Sequence, residues 1–278
     1  MKGLQMKMCK SLMTVSIVLA LAIPASAQFS WLNLSEKNVI SLEATKFTLE
    51  DDREFSFMSG VYILSGNFKV GQNLFILAEI PYASFKREAS WGDLKTSMVG
   101  NPYLGLKFNV GEAGLFGYSG IRLPLAPNDE SRAAEGAASI YFDRLEAFMP
   151  ESKTLTFGGG FNNSLPSGLS YNIQGGITML LFDEEYVDDE TFLDYKATFN
   201  YNLSKIKLAC GLTGRYRLKD TDQKVETRNV NMLGAKAGYD LGFLIPGIHF
   251  YYPLGDDMQD LYNYFYGVTI DFPLNIMK

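Results

Sequence analysis

Apolar and polar residues alternate one by one along much of this chain, and the closing stretch "YNYFYGVTIDFPLNIMK" shows the pattern best. From Tyr262 to Phe272 the even positions read Tyr262, Tyr264, Tyr266, Val268, Ile270 and Phe272. The odd positions read Asn263, Phe265, Gly267, Thr269 and Asp271. A period of two predicts a strand with one apolar and one mostly polar face. Here the apolar face has aromatics at both ends and aliphatics between them, as in a strand that crosses a bilayer. "IKLACGLTGRYRL" repeats the pattern. Its even positions Ile206, Leu208, Cys210, Leu212, Gly214, Tyr216 and Leu218 oppose Lys207, Ala209, Gly211, Thr213, Arg215 and Arg217. "LSYNIQGGITMLL" and "DYKATFNYNL" do the same, with Leu169, Tyr171, Ile173 and Tyr195, Phe199, Tyr201 on their apolar faces.

The connections between such segments are of two alternating kinds. Short turns are "VGQN" (70–73), "GEAG" (111–114), "SLPSG" (164–168), "LSK" (203–205) and "FLIPG" (243–247). Longer polar connections fall near 86–100, 125–152, 184–190, 219–227 and 255–261, with "EDDRE" (50–54) a short member of the set. Short turns on one side and long loops on the other are the asymmetry of outer-membrane barrels. The expected strands are 38–49, 55–69, 74–85, 101–110, 115–124, 153–163, 169–183, 191–202, 205–218, 228–241, 247–254 and 262–272. They predict an all-β fold, a single closed antiparallel transmembrane β-barrel of about twelve strands, with short periplasmic turns and longer extracellular loops. Phe47 and Leu49 break parity with Ile40, Leu42 and Ala44, which points to a bulge or a shifted register in the first strand.

The chain begins with Lys2, Lys7 and Lys10, an apolar run from Leu12 to Ile23, then Pro24-Ala25-Ser26-Ala27. This pattern predicts a secretory signal peptide over 1–27, cleaved before Gln28, with the barrel over 28–278. The apolar run is too short to span a bilayer as a helix. Removing the leader takes three lysines and no acid, so the formal charge moves from −6 to −9. That balance argues against a nucleic-acid partner. Only Cys210 remains among the cysteines, so no intrachain disulfide is available. No later stretch is apolar enough for a transmembrane helix, and a chain that enters lipid without helices must close its sheet. The implied partners are the lipid bilayer, lipopolysaccharide at its outer surface, and the outer-membrane barrel assembly machinery.

The last strand carries a more specific signal. "GVTIDF" resembles the terminal-strand signature of bacterial outer-membrane proteins. Gly267, Ile270 and Phe272 match, whereas Phe265 stands where a polar residue is usual. Three internal segments, "LAEIPYASF" (77–85), "VGNPYLGLKF" (99–108) and "SGIRLPLAP" (119–127), resemble the outer-membrane barrels grouped as the meta-pathway phenol-degradation transporter family. The resemblance implies a transporter-like barrel with small hydrophobic molecules as cargo.

Catalytic chemistry finds little support. His249 is the only histidine, and its neighbour on the same face is Tyr251, with no serine in the strand to act as nucleophile. It reads as a hydrogen-bonded lumen histidine. Cys210 lies on the lipid-facing parity, and no metal-ligand spacing accompanies it. "DEEYVDDE" (183–190) reads as a solvated loop with a tendency to hold cations at the lipopolysaccharide surface. The segment 125–152 alone has helical character, with Ile140, Leu145 and Phe148 loosely on one face. It could enter the mouth as a constriction or pack on the rim.

The lumen face is richer. Inward parity collects Lys107, Arg122, Lys196, Lys207, Arg215, Arg217 and Lys236 as a basic wall, with five of them on three successive strands. Glu43, Glu79, Asp240 and Asp271 form the acidic set. Facing walls of opposite charge would set a transverse field across a narrow channel; the alternative is a lumen plugged by mutual salt bridges, completed by a loop. The expectation is therefore an outer-membrane channel or transporter for small solutes, with no cofactor and no metal. A structural or surface-interaction barrel with a plugged lumen comes second, and an enzyme third.

Overall fold

The computed structural model describes residues 38–49, 59–87, 94–111, 114–128, 131–182, 188–218, 229–255, 259 and 262–274. The leader, most of the acidic run 183–190 and the tip of "GEAG" lie outside them. The strands are β1 (Val39–Leu49), β2 (Gly60–Lys69), β3 (Leu74–Arg87), β4 (Leu94–Val99), β5 (Tyr103–Val110) and β6 (Leu115–Arg122). Helix α1 (Ser131–Ile140) and a 3-10 helix (Phe142–Ala147) follow. The sheet then resumes with β7 (Ser152–Ser164), β8 (Leu169–Phe182), β9 (Glu190–Leu203), β10 (Ile206–Arg217), β11 (Asn229–Tyr239), β12 (Ile245–Leu254) and β13 (Tyr262–Pro273).

All pairings are antiparallel, and β13 pairs with β1 from Val39–Pro273 to Leu49–Tyr262, which closes the sheet. Both β4 and β5 pair with β3, through Tyr82–Arg87 and Leu74–Glu79 respectively. They are two halves of one wall strand, so thirteen segments make a closed barrel of twelve strands. The half β4 falls within the connection expected at 86–100. It is separated from β5 at Gly100–Pro102, where Pro102 has no N–H to offer a ladder. There the Asn101 N–H donates instead to Ala147 O at 2.7 Å, and the Gly100 N–H to Pro81 O at 2.9 Å. In β1 the pairing irregularity falls between Thr48 and Leu49, close to the parity break in the sequence.

The faces are inverted relative to a soluble protein. Tyr264, Tyr266, Val268 and Phe272 of β13 are exposed outward, while Phe265, Thr269 and Asp271 are buried inward. Outward Leu104, Leu208, Leu233 and Ile248 continue the apolar belt, and Cys210 is exposed among them. Buried inside are Glu43, Glu79, Arg122, Arg215, Lys236 and Asp271. Among the described residues no helix is long and apolar enough to cross a membrane. A closed sheet has no edge to leave unpaired, and an apolar belt around it is stable only against lipid. The protein is therefore an outer-membrane β-barrel.

Candidate functional site

Between β6 and β7 the chain turns into the barrel instead of away from it. Ala133, Ala134, Ala137 and Ile140 of α1 are buried, and Tyr141, Ala147 and Phe148 beyond it are buried with them. They form one apolar cluster with Val61 and Ile63 of β2, Ala83 and Phe85 of β3, Met98 of β4, Met232 of β11, Tyr251 of β12 and Phe265 of β13. The small alanines let the helix lie close to the wall at β1–β4, while the 3-10 turn reaches β7, β10 and β11 on the other side. Of the two placements the sequence allowed for 125–152, the interior one is observed. The inserted segment fills the lumen on the side of the long connections.

Its lower tip carries charge into the lumen. Arg144 Nη1 donates to Glu79 Oε2 at 2.9 Å, and Arg144 Nη2 lies 3.7 Å from Glu43 Oε1. Glu79 also accepts from Arg122 at 2.5 Å, and Arg122 donates in turn to Asn101 O at 2.8 Å. Opposite, Glu146 receives both Arg215 Nη atoms, at 2.6 and 3.1 Å, while Arg215 Nε donates to Asp194 at 2.5 Å. The second Asp194 oxygen accepts from Thr178 Oγ1 at 2.5 Å. Burial by itself would raise the Glu146 carboxyl, but the Arg215 guanidinium outweighs it and holds the group below the usual carboxylate range. Asp143 has no such clamp, and burial pushes its carboxyl up. Asn101 ties both ends of the segment to the wall. Its side-chain N–H donates to Glu146 O and Met149 O, and its Oδ1 accepts from the Leu125 and Ala126 N–H groups.

A second polar cluster surrounds the lone histidine. Thr45 Oγ1 lies 2.9 Å from His249 Nε2 and 2.6 Å from Tyr141 Oη, and Tyr141 donates to Glu43. The His249 ring stacks on Tyr251, with centroids 4.9 Å apart. On the neighbouring strand, a Cβ at Gly267 would lie 2.0 Å from Ala44 O and 2.5 Å from His249 Nε2. The glycine of the terminal signature is therefore needed for close packing of β1, β12 and β13, whatever else it does. Ile270 and Phe272 belong to the outward face.

Of the charges expected in the lumen, Glu43, Glu79, Arg122, Lys196, Arg215, Lys236 and Asp271 are buried while Lys107, Lys207, Arg217 and Asp240 are half-exposed, and they do not stand as two opposed walls. Lys236 binds Asp271 at 3.1 Å, Lys207 approaches Asp240 at 3.4 Å, and Arg217 approaches Glu190 at 3.2 Å. With Arg122 on Glu79, basic and acidic members are paired locally. Strand closure places β11 one strand from β13 and β3 one strand from β6, within side-chain reach, and buried charges left apart would each cost several kcal/mol. Lys107 sits over the Phe116 ring at 4.4 Å and the Phe75 ring at 5.7 Å. Lys196 makes no hydrogen bond or ion pair among the described residues. Arg144, Glu146 and Asp194, which organise the network, were absent from the expected set. Two lie on a segment with no strand period, whereas Asp194 stands two residues before Lys196 on the same inward parity of β9, which was signal enough to find it. The mixed string "FDRLEAF" was the available signal, since it alternates charges with apolar residues in a segment too long for a turn. Among the described residues no His, Cys, Asp and Glu group is arranged to hold a metal ion.

No family model matches the chain, and no curated protein matches it. Solved structures do. The COG4313 outer membrane channel from Pseudomonas putida F1 superposes with a TM-score of 0.56 at 12% identity, covering 89% of this chain and 99% of that one. The translocator domain of the autotransporter NalP from Neisseria meningitidis gives 0.54 at 12% identity, covering 97% and 98%. At such identities the likeness is one of fold: both are outer-membrane barrels.

Proposed function

We propose that the protein is an outer-membrane channel for small solutes, closed at rest by its internal segment 131–148. The observation that carries this reading is the unequal lining of the lumen. On the side of the long connections the inward residues are buried against α1 and the 3-10 turn. On the side of the short turns, inward Lys107, Asn109, Asn162, Asn172, Asn200 and Lys207, from β5 and β7 to β10, keep part of their surface accessible. A polar, accessible strip beneath a folded-in loop suits a passage with a stopper. The resemblance of segments 77–85, 99–108 and 119–127 to phenol-degradation transporters, and the fold shared with a channel, support small hydrophobic or aromatic molecules as cargo.

Planar-bilayer conductance tests this. Replacing 131–147 by a short Gly-Ser linker should convert rare, small openings of the wild-type protein into steady conductance. The competing reading, a structural barrel with a permanently plugged lumen, is favoured by the ion pairs that hold the segment to several strands at once. Equal and negligible conductance of both proteins would select it.

A further inference from the structure

The outward face of the wall carries charge at one end only. Among the described residues its charged side chains are Lys46 on β1, Lys86 on β3, Lys95 on β4 and Lys153 on β7, and no acid shares that parity. Each lies within three residues of a strand end on the side of the long connections. At the short-turn ends the same parity holds Leu74, Val110, Leu115, Leu203 and Ile206 instead. Lysines that only snorkelled from lipid to water would serve equally well at both ends. A one-sided set of cations suits a leaflet with anionic headgroups.

Lys153 also has a groove beneath it. Ser119 on β6 is the register partner of Leu106 on β5 and of Phe157 on β7. All three face outward, and the short serine leaves a depression between its larger neighbours. Leu104, Ile121 and Leu155 extend it towards the long connections, giving an open apolar groove of about 480 Å³. It covers the two strand spacings from β5 to β7, about 10 Å. Its lining is accessible, with Leu104 54% and Phe157 45% exposed. Phe157, Leu155 and Lys153 are successive outward residues of β7, so the exposed Lys153 stands about 7 Å beyond Leu155, at the outer end of the groove.

We propose that this groove binds the phosphorylated glycolipid of the outer leaflet, lipopolysaccharide, with one acyl chain of its lipid A over Ser119 and a phosphate on Lys153. The apolar groove alone would take any lipid, and the cation at its outer end selects one with an anionic headgroup. Lysine binds phosphate as a point charge without the fixed fork of arginine, which suits a headgroup on a mobile lipid surface. The site lies on the lipid face and stands whether or not the lumen conducts.

Refolded, delipidated protein in an uncharged detergent can be mixed with lipid A and the retained lipid counted by native mass spectrometry, with thermal unfolding recorded alongside. Wild type should retain lipid A in preference to zwitterionic phosphatidylcholine, and should unfold at a higher temperature with it. Lys153→Met should weaken retention by about tenfold or more, and Lys153→Arg should keep it. Ser119→Leu fills the groove with a side chain that lipid tolerates, so it should fold normally and lose lipid A to a similar degree. Lys205→Met, in a short turn at the opposite rim, should leave retention unchanged. If Lys153→Met fails to refold, Lys153→Gln provides the same comparison. Dephosphorylated lipid A held as tightly as lipid A, or retention that ignores Lys153 or Ser119, would overturn the assignment. A wild-type dimer that Ser119→Leu disperses would overturn it too, since the groove would then hold a second copy of the chain.

Discussion

Arg144 is the residue on which closure of the lumen should depend most. Its guanidinium contacts Glu79 at 2.9 Å, lies 3.7 Å from Glu43, and stacks on Tyr141 with 4.3 Å to the ring centroid. Arg144→Met keeps the length and removes the charge. Glu79 would retain Arg122 and lose its link to the inserted segment, while Glu43 would retain Thr45 on the wall and Tyr141 on the segment. Breaking one side of a buried pair costs about 3–5 kcal/mol, and every 1.4 kcal/mol is a factor of ten. The cost falls on the closed state alone, because an expelled segment exposes Arg144 to water. The ratio of open to closed should therefore rise by roughly two to four decades. Single-channel recording would register it as frequent openings in place of rare ones. Raising the salt should change wild-type opening little, since buried pairs are screened much less than exposed ones. The reasoning fails if Arg144→Met opens as rarely as wild type while folding normally, for then packing of α1 alone holds the segment in place.

Three further outcomes follow from the geometry. Leu212→Lys, on the lipid face at the middle of β10, should impair insertion, because a lysine near mid-bilayer costs about 2–4 kcal/mol. Lys207→Glu, on the opposite parity at the inner rim, should insert normally, and the opposite result would mean that the β10 register is off by one. Gly267→Ala should reduce the folded, heat-modifiable band on cold gels, since its Cβ meets Ala44 O at 2.0 Å, and Phe272→Ala should lower outer-membrane levels through the assembly signal. Protease added to intact cells should cleave within 184–190 and spare 131–148, whose apolar residues are buried inside the barrel; efficient cleavage there would place the segment on the surface.

The wall of this protein is legible in its sequence because the bilayer enforces a rule on every residue of it. Each outward side chain must suit lipid, so the parity of β8, β9, β10 and β13 survives with hardly an exception. Parity also placed Glu43, Glu79, Arg122, Lys196, Arg215 and Lys236 inside. It could not say which of them touch, because contact across a lumen depends on what else occupies it. The missed half-strand β4 has the same cause. Its residues 94–99, "LKTSMV", carry too few alternations to stand out, and it is fixed by pairing with β3 rather than by its own pattern. The inserted segment obeys neither parity nor a strong helical period. Its alanines face the wall, its Arg144 and Glu146 face acids and bases more than sixty residues away in sequence, and only the closed barrel brings those partners together.

The way the segment is held bears on what it is for. A permanent stopper would be most stable with large apolar side chains, since buried ion pairs gain little over hydrophobic residues of similar volume. Instead α1 meets the wall largely through alanines, and Arg144 and Glu146 add charged anchors to the buried Ile140, Tyr141 and Phe148, each charge shared with an acid or base of the wall that has a second partner. Arg122 can keep Glu79 and Asp194 can keep Arg215 when the segment leaves, so neither wall group is stranded as an unpaired charge. That redundancy lowers the cost of the open state as well as holding the closed one. A network in which each wall charge has a fallback partner can exchange between two arrangements, which is what a gate requires and a fixed plug does not. Replacing Arg122 by Met, on the wall and not on the segment, should therefore hinder opening, because it leaves Glu79 dependent on Arg144 alone. If instead Arg122→Met opens the channel as Arg144→Met does, the fallback pairing plays no part in the exchange.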